Sequence, residues 1–201
     1  VDDNDALDEL FREFRDRVIA VHAENQTIIE ANKKRLIARY GTEDLPVSLH
    51  SALRSREACV TSAEKAVSLA KKYKSRLHLL HISTADELLL LTGGDVSDKR
   101  ITAETCPHYL YFTEDDYSRL GARIKCNPAI KTAADRDALI KAISDCRIDV
   151  IATDHAPHLL SDKHGNAFSA ASGMPGVQFS LPLMLELTRT HSELTIERVV
   201  E

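Results

Sequence analysis

The segment DVIATDHAPH, Asp149 to His158, sets Asp154, His155 and His158 directly behind the apolar run Val150, Ile151, Ala152. A carboxylate beside a buried strand is costly to desolvate unless a cation or hydrogen bonds answer it. Other apolar runs close in the same way: RVIAVHAE carries His22, RLHLLHIS carries His81 and RIKCNP carries Asn127. Two strand-end imidazoles and a carboxylate are donor types that suit zinc, and an incompletely filled coordination sphere leaves room for a reactive water. Glu24 and Glu104 stand where they can orient a histidine N–H or bond backbone.

Each of these residues also has a plainer role. A lone strand-end histidine is more often structural, and a lone Asp is as readily paired with backbone or an Arg. Cys106 has no base assigned to it and reads as a small buried residue rather than a nucleophile. His78 is expected to pack among helices, and His50, His164 and His191 to occupy loop or surface positions.

The elements that position these residues follow from periodicity. Short apolar runs at Arg17 to Glu24, Arg76 to Ser83, Arg100 to Pro107, Arg123 to Pro128 and Asp149 to Pro157 predict buried strands ending in polar residues. Between them, Ile28, Ile29, Leu36 and Ile37 make a helical stripe that stops at Gly41, and Ala58, Ala66, Val67 and Leu69 make another. Thr84 and Glu87 have capping-box spacing ahead of LLLL, with Gly93 and Gly94 closing that turn. Ala134, Leu139, Ile140 and Ile143 define a helix before the last strand, and GVQFSLPLMLELTRT one after it, with Pro182 near its first turn.

Strands alternating with helices, apolar on both faces, predict a parallel sheet covered by helices, either an open doubly wound sheet or part of a (β/α) barrel. No GxGxxG or GxxxxGK[ST] follows a strand, which weakens the nucleotide-binding open sheets. In barrels and open parallel sheets the C-terminal strand ends carry the site, so His22, His81, Asn127 and Asp154 are expected in one cavity.

Bulk properties exclude other classes. The 201 residues are 43% apolar and 28% charged with net charge -5, which suits one globular domain over 1–201 and argues against a nucleic-acid or basic membrane surface. The cysteines, Cys59, Cys106, Cys126 and Cys146, form no CxxC pair, so neither a disulfide framework nor a zinc ribbon is expected and a reducing cytoplasm fits best. No apolar run reaches the roughly 20 residues of a membrane span.

VHAEN, LHLLHIST, AETCPHYL, IKCNPAIK and IATDHAPH, in this order and spacing, resemble the cyclic-amide hydrolases of the amidohydrolase superfamily, and the dihydroorotases in particular. The resemblance runs from about Arg17 to Leu187. Hydantoinases and allantoinases share versions of the first three segments, whereas TDHAPH, CNPAIK and AASGMPGVQ look like dihydroorotase. The resemblance implies an α/β fold, a partial TIM-type (β/α)8 barrel with roughly strands 5 to 8. It implies His22 and His81 as metal ligands after the fifth and sixth strands, and Asp154 after the eighth as metal contact and proton shuttle. Asn127 and His158 match substrate contacts, with the backbone near Pro175 and Gly176 closing over the substrate and His155 as support. The implied reaction is reversible interconversion of dihydroorotate and N-carbamoyl-L-aspartate in pyrimidine synthesis, with two Zn2+ per complete site.

The same family carries an HxH pair after its first strand and a carboxylated lysine or acid after its fourth, and this chain has no HxH. The expectation is a stretch corresponding to the second half of the barrel, without the upstream ligands and inactive alone. Strand edges exposed by an unclosed barrel would aggregate or recruit a partner, and association between copies stays open. Two alternatives stand beside this one: a hydantoinase- or allantoinase-type cyclic amidohydrolase, and a non-catalytic scaffold module of the same family.

Overall fold

A computed structural model describes residues 3–201. The helices and strands run α1 (Asn4–Glu13), β1 (Val18–Val21), α2 (Gln26–Tyr40), α3 (His50–Leu53), α4 (Arg56–Tyr73), β2 (Arg76–Leu79), β3 (Ile101–Thr105), α5 (Pro107–Tyr111), α6 (Tyr117–Leu120), α7 (Ala133–Ser144), β4 (Val150–Ile151), α8 (Ser180–Thr190) and α9 (Ile196–Val200). The strands form one parallel four-stranded sheet in the order β1-β2-β3-β4.

Register explains which side chains face where. Ile19 pairs with Leu77 and Leu77 with Ile101, while Val21 pairs with Leu79 and Leu79 with Ala103. This row joins Val67, Ile82, Leu139 and Ile140 in the main core. Leu77 and Leu79 are fully buried, each stabilising the fold by about 1.5–3 kcal/mol relative to exposure. The opposite face carries Ala20, His78 and Thr102, with Glu104 beyond. The expectation of strands apolar on both faces holds only in part: Val18, Ala20 and Val150 share this second face with His78, Thr102 and Glu104, and Val18 and Val150 are exposed. His78 belongs to that face, with Nδ1 2.8 Å from Thr102 Oγ1 and Nε2 3.0 Å from Glu104 Oε2. Its partners are on β3 rather than on helices, and Glu104 orients this histidine.

Helix boundaries follow local chemistry. Asn25 caps α2 at the Ile28 N–H and Gly41 ends it in the left-handed region. Ser55 caps α4, and Thr132 with Asp135 forms a reciprocal capping box on α7. The predicted Thr84–Glu87 pairing is present in both directions, but it opens a single 3-10 turn, Glu87–Leu90, rather than an α-helix.

Two strand expectations need correction. Asp149 to Pro157 contributes only Val150–Ile151 as strand. Arg123 to Pro128 is no strand: a 3-10 turn covers Gly121–Ile124 and a loop follows. Its carbonyls are taken by loop and side-chain donors, Lys125 O by Gly173 N and Lys163 Nζ, and Cys126 O by His50 Nε2. No neighbouring strand can then use them.

Candidate active site

His22 follows β1 and His81 follows β2, and adjacent parallel strands bring them together. His22 Nδ1 lies 2.7 Å from His81 Nε2, with the rings edge to face. The other nitrogen of His22, Nε2, lies 3.1 Å from Glu24 Oε2. Arg54, at the end of α3, grips the same Glu24 oxygen. Burial alone would push the Glu24 carboxyl up, but the His22 hydrogen bond and the Arg54 and Lys131 charges hold it below its ordinary value. A Glu24 carboxylate accepting from His22 fixes the Nε2–H tautomer and leaves Nδ1 bare toward His81. Burial, then the neighbouring His22, holds the His81 imidazole below its ordinary value, with the Asp154 carboxylate opposing that shift.

Asp154 is half-buried just beyond β4. Among the described residues no hydrogen bond or ion pair reaches its carboxylate, so neither plainer reading of this acid, an Arg partner or local backbone bonds, holds. Backbone strain singles out the same residues. Among the described residues, the non-glycine residues at positive φ are Lys74, His81, Cys146 and Asp154. Lys74 caps the end of α4 and Cys146 lies just past α7. His81, at φ 41°, and Asp154, at φ 43°, have no helix end to explain them. Such conformations cost about 1–3 kcal/mol each and gather at functional sites.

The donor types fit a zinc ion, and the fit is incomplete in geometry. Two imidazoles on one tetrahedral zinc at about 2.0–2.1 Å hold their nitrogens about 3.3 Å apart, so this pair must part by roughly half an ångström to admit one. Among the described residues, no group of three or more His, Cys, Asp or Glu side chains converges to hold a metal. The expected trio is thus present as a facing pair with the acid outside it.

The substrate-contact candidates divide. Asn127 lies in a loop rather than at a strand end, and its Oδ1 lies 3.2 Å from His50 Nε2. His158 is exposed and its Nε2 donates to Ser172 O at 3.0 Å. The segment from Thr153 to His158 packs along the loop from Ser172 to Gly176: Ala156 N donates to Met174 O, and His155 Nδ1 accepts from Val177 N. Glycines make that approach possible. A β-carbon on Gly173 would sit 2.6 Å from Ala156, and one on Gly176 2.4 Å from Thr153 O. Lys163 ties the loop down, donating to Lys125 O, Ala171 O and Gly173 O at 3.0, 2.8 and 2.8 Å. Pro175 and Gly176 line a mainly apolar cleft of about 350 Å³ with Thr153, His108 and Phe179.

His50 and Arg54 were not singled out as functional in the sequence, and His50 is not a surface residue. It is 1% exposed, and burial pushes its imidazole down to about 3. Their spacing, four residues apart on one helical face, is the signal that joins them. Cys106 is buried and its thiol is pushed up by burial, as a structural cysteine requires.

No family model matches the chain. A dihydroorotase from Halobacterium salinarum is 35% identical over 185 residues, covering 92% of this chain and 40% of that protein. An allantoinase from Streptomyces avermitilis is 36% identical over 165 residues, 82% of this chain and 36% of that protein. Among solved structures, an L-hydantoinase (dihydropyrimidinase) from Arthrobacter aurescens superposes with TM-score 0.86 at 32% identity, covering 97% of this chain and 44% of its own. The chain spans about two fifths of the length of the curated relatives it matches. Its four parallel strands with their helices form part of a TIM-type barrel. With HAEN, HIST, ETCP and TDHAPH lying at the ends of successive strands, the chain is similar over most of its length to part of the barrel of cyclic-amide hydrolases of the amidohydrolase family.

Proposed function

We propose that this chain carries one side of the active site of a zinc-dependent dihydroorotase, which interconverts dihydroorotate and N-carbamoyl-L-aspartate in pyrimidine synthesis. The remaining ligands come from the part of the barrel that the relatives possess beyond the matched stretch, and the stretch alone is inactive. The observation that carries the reading is the facing pair of His22 and His81, with its tautomer set by Glu24, beside an Asp154 that has no partner among the described residues.

His22, His81 and Asp154 would hold zinc. When bound, the metal lowers the pKa of water to about 7 and polarises the amide carbonyl. The chain's own residues do the rest. Asp154 takes a proton from the attacking water as the C–O bond forms, and returns it to the ring nitrogen as the C–N bond breaks. Asn127 and His158 bind the polar groups of the substrate, and the backbone at Pro175 and Gly176 closes beside them. Arg54 and Glu24 keep His22 in the tautomer that presents Nδ1. The protein acts on a small molecule rather than nucleic acid, in the cytoplasm, where its cysteines stay reduced.

The allantoinase match at 36% identity supports a second reading, the same ring-amide chemistry on allantoin or a hydantoin. Steady-state assays of the complete enzyme on dihydroorotate, hydantoin and allantoin decide between them. Turnover of dihydroorotate is expected. Turnover of allantoin alone would transfer the assignment, and no turnover with no bound zinc would leave the scaffold reading.

A further inference from the structure

His50 is buried, lies outside the catalytic group just described, and touches the substrate-contact candidate. Its Nε2 lies 2.9 Å from Cys126 O and 3.2 Å from Asn127 Oδ1. The carbonyl oxygen can only accept, so Nε2 carries the hydrogen, and the amide atom facing it is the acceptor oxygen. His50 Nδ1 has no hydrogen-bond partner and is buried. A bare nitrogen lone pair there is less costly than a stranded N–H, which agrees with the same tautomer. Lys125, Arg54 and Lys131 also disfavour a second proton on this ring. The imidazole is therefore a neutral donor locked in one orientation.

We propose that His50 is a positioning residue that fixes the rotamer and amide sense of Asn127, so that Asn127 presents its Nδ2 hydrogens, and not its oxygen, to the substrate. The specificity consequence is chemical: the position at Asn127 selects a substrate oxygen, a carbonyl or carboxylate, and disfavours a ring N–H there. Arg54, one helical turn on, grips Glu24 and through it His22. The segment from His50 to Arg54 thus sets both the substrate contact and the ring of a ligand candidate. This inference rests on the reading of Asn127 as a substrate contact, whereas the hydrogen-bond assignment stands without it.

Two experiments on the complete protein test it. In a double-mutant cycle, His50→Leu is expected to raise KM for dihydroorotate about tenfold with kcat within about threefold, Asn127→Ala likewise, and the pair no more than either alone. His50→Gln, which keeps a donor near Nε2, is expected to restore KM to within about twofold. Multiplying KM effects in the pair, or a folded His50→Leu protein with unchanged KM, would overturn the proposal. Long-range 1H–15N spectra of the wild-type imidazole are expected to place the His50 proton on Nε2. A proton on Nδ1 would overturn it even if His50→Leu does not fold. Failure of the wild type to turn over dihydroorotate would instead refute the dihydroorotase assignment and leave the spectroscopic result to judge the His50–Asn127 geometry.

Discussion

His22 and His81 share one hydrogen between Nδ1 and Nε2 across 2.7 Å, and Glu24 decides which ring supplies it. With His22 donating to Glu24 from Nε2, the shared hydrogen belongs to His81. A metal held by both facing nitrogens would need the His81 hydrogen on Nδ1 instead, so uptake would be coupled to a tautomer change at this pair. Glu24→Gln weakens control of the tautomer and is expected to lower zinc affinity of the complete protein about 10- to 100-fold. Competition with a chromophoric chelator measures it, and unchanged affinity would refute the role of Glu24.

Asp154→Asn keeps the size of the side chain but removes the proton acceptor. Turnover is expected to fall by at least about 100-fold, with the circular dichroism spectrum and melting temperature near wild type. Near-normal kcat would exclude Asp154 as the proton carrier.

His158 stands exposed with Nε2 committed to Ser172 O, so Nδ1 is the atom left for a substrate. His158→Ala is expected to raise KM for dihydroorotate about tenfold and to change kcat less. An unchanged KM would remove it from the binding set.

Glu87 is 2% exposed and accepts from Ser83 N, Thr84 N and Thr84 Oγ1. Burial outweighs these bonds and raises its carboxyl to about 6 from 4.5. The folded state then binds more protons than the unfolded between those values, so this residue's contribution is fully present below pH 4.5 and is lost as pH rises through 6. The loss amounts to at most about 2 kcal/mol. Glu87→Gln has no such step, so urea melts should show the variant gaining on wild type between pH 4.5 and 6.5. Parallel profiles would contradict the shift.

Local patterns made most of this architecture legible. Period-two burial at Leu77 and Leu79 and the apolar stripe of α2 follow from neighbours in sequence. RIKCNP misleads because Ile124 and Cys126 alternate as a strand does while the Lys125 carbonyl is taken by Gly173 and Lys163 and the Cys126 carbonyl by His50, which no local pattern reveals. His50 was misjudged for the same reason: its partner carbonyl lies 76 residues away. The strand-end placement of His22, His81 and Asp154 was legible, because topology alone fixes which ends meet. The gap between Asp154 and the histidine pair was not, since it depends on side-chain directions.

At the opposite end of β4 from Asp154, Asp149 pairs with Lys99 at 2.6 Å and accepts from Ala103 N at 3.0 Å, with both charged side chains almost fully buried. Asp149 directly precedes the two-residue strand and Asp154 lies three residues past it, so a dry ion pair and the half-buried candidate acid flank one short strand. A shift of one residue in this strand would swap the faces of Val150 and Ile151 and displace the turn that carries Asp154. That shift would also drag an unpaired Asp149 through the protein interior. Lys99 and Asp149 therefore serve as a register pin, an anchor that penalises misthreading and keeps the acid at the far end in phase with the histidines.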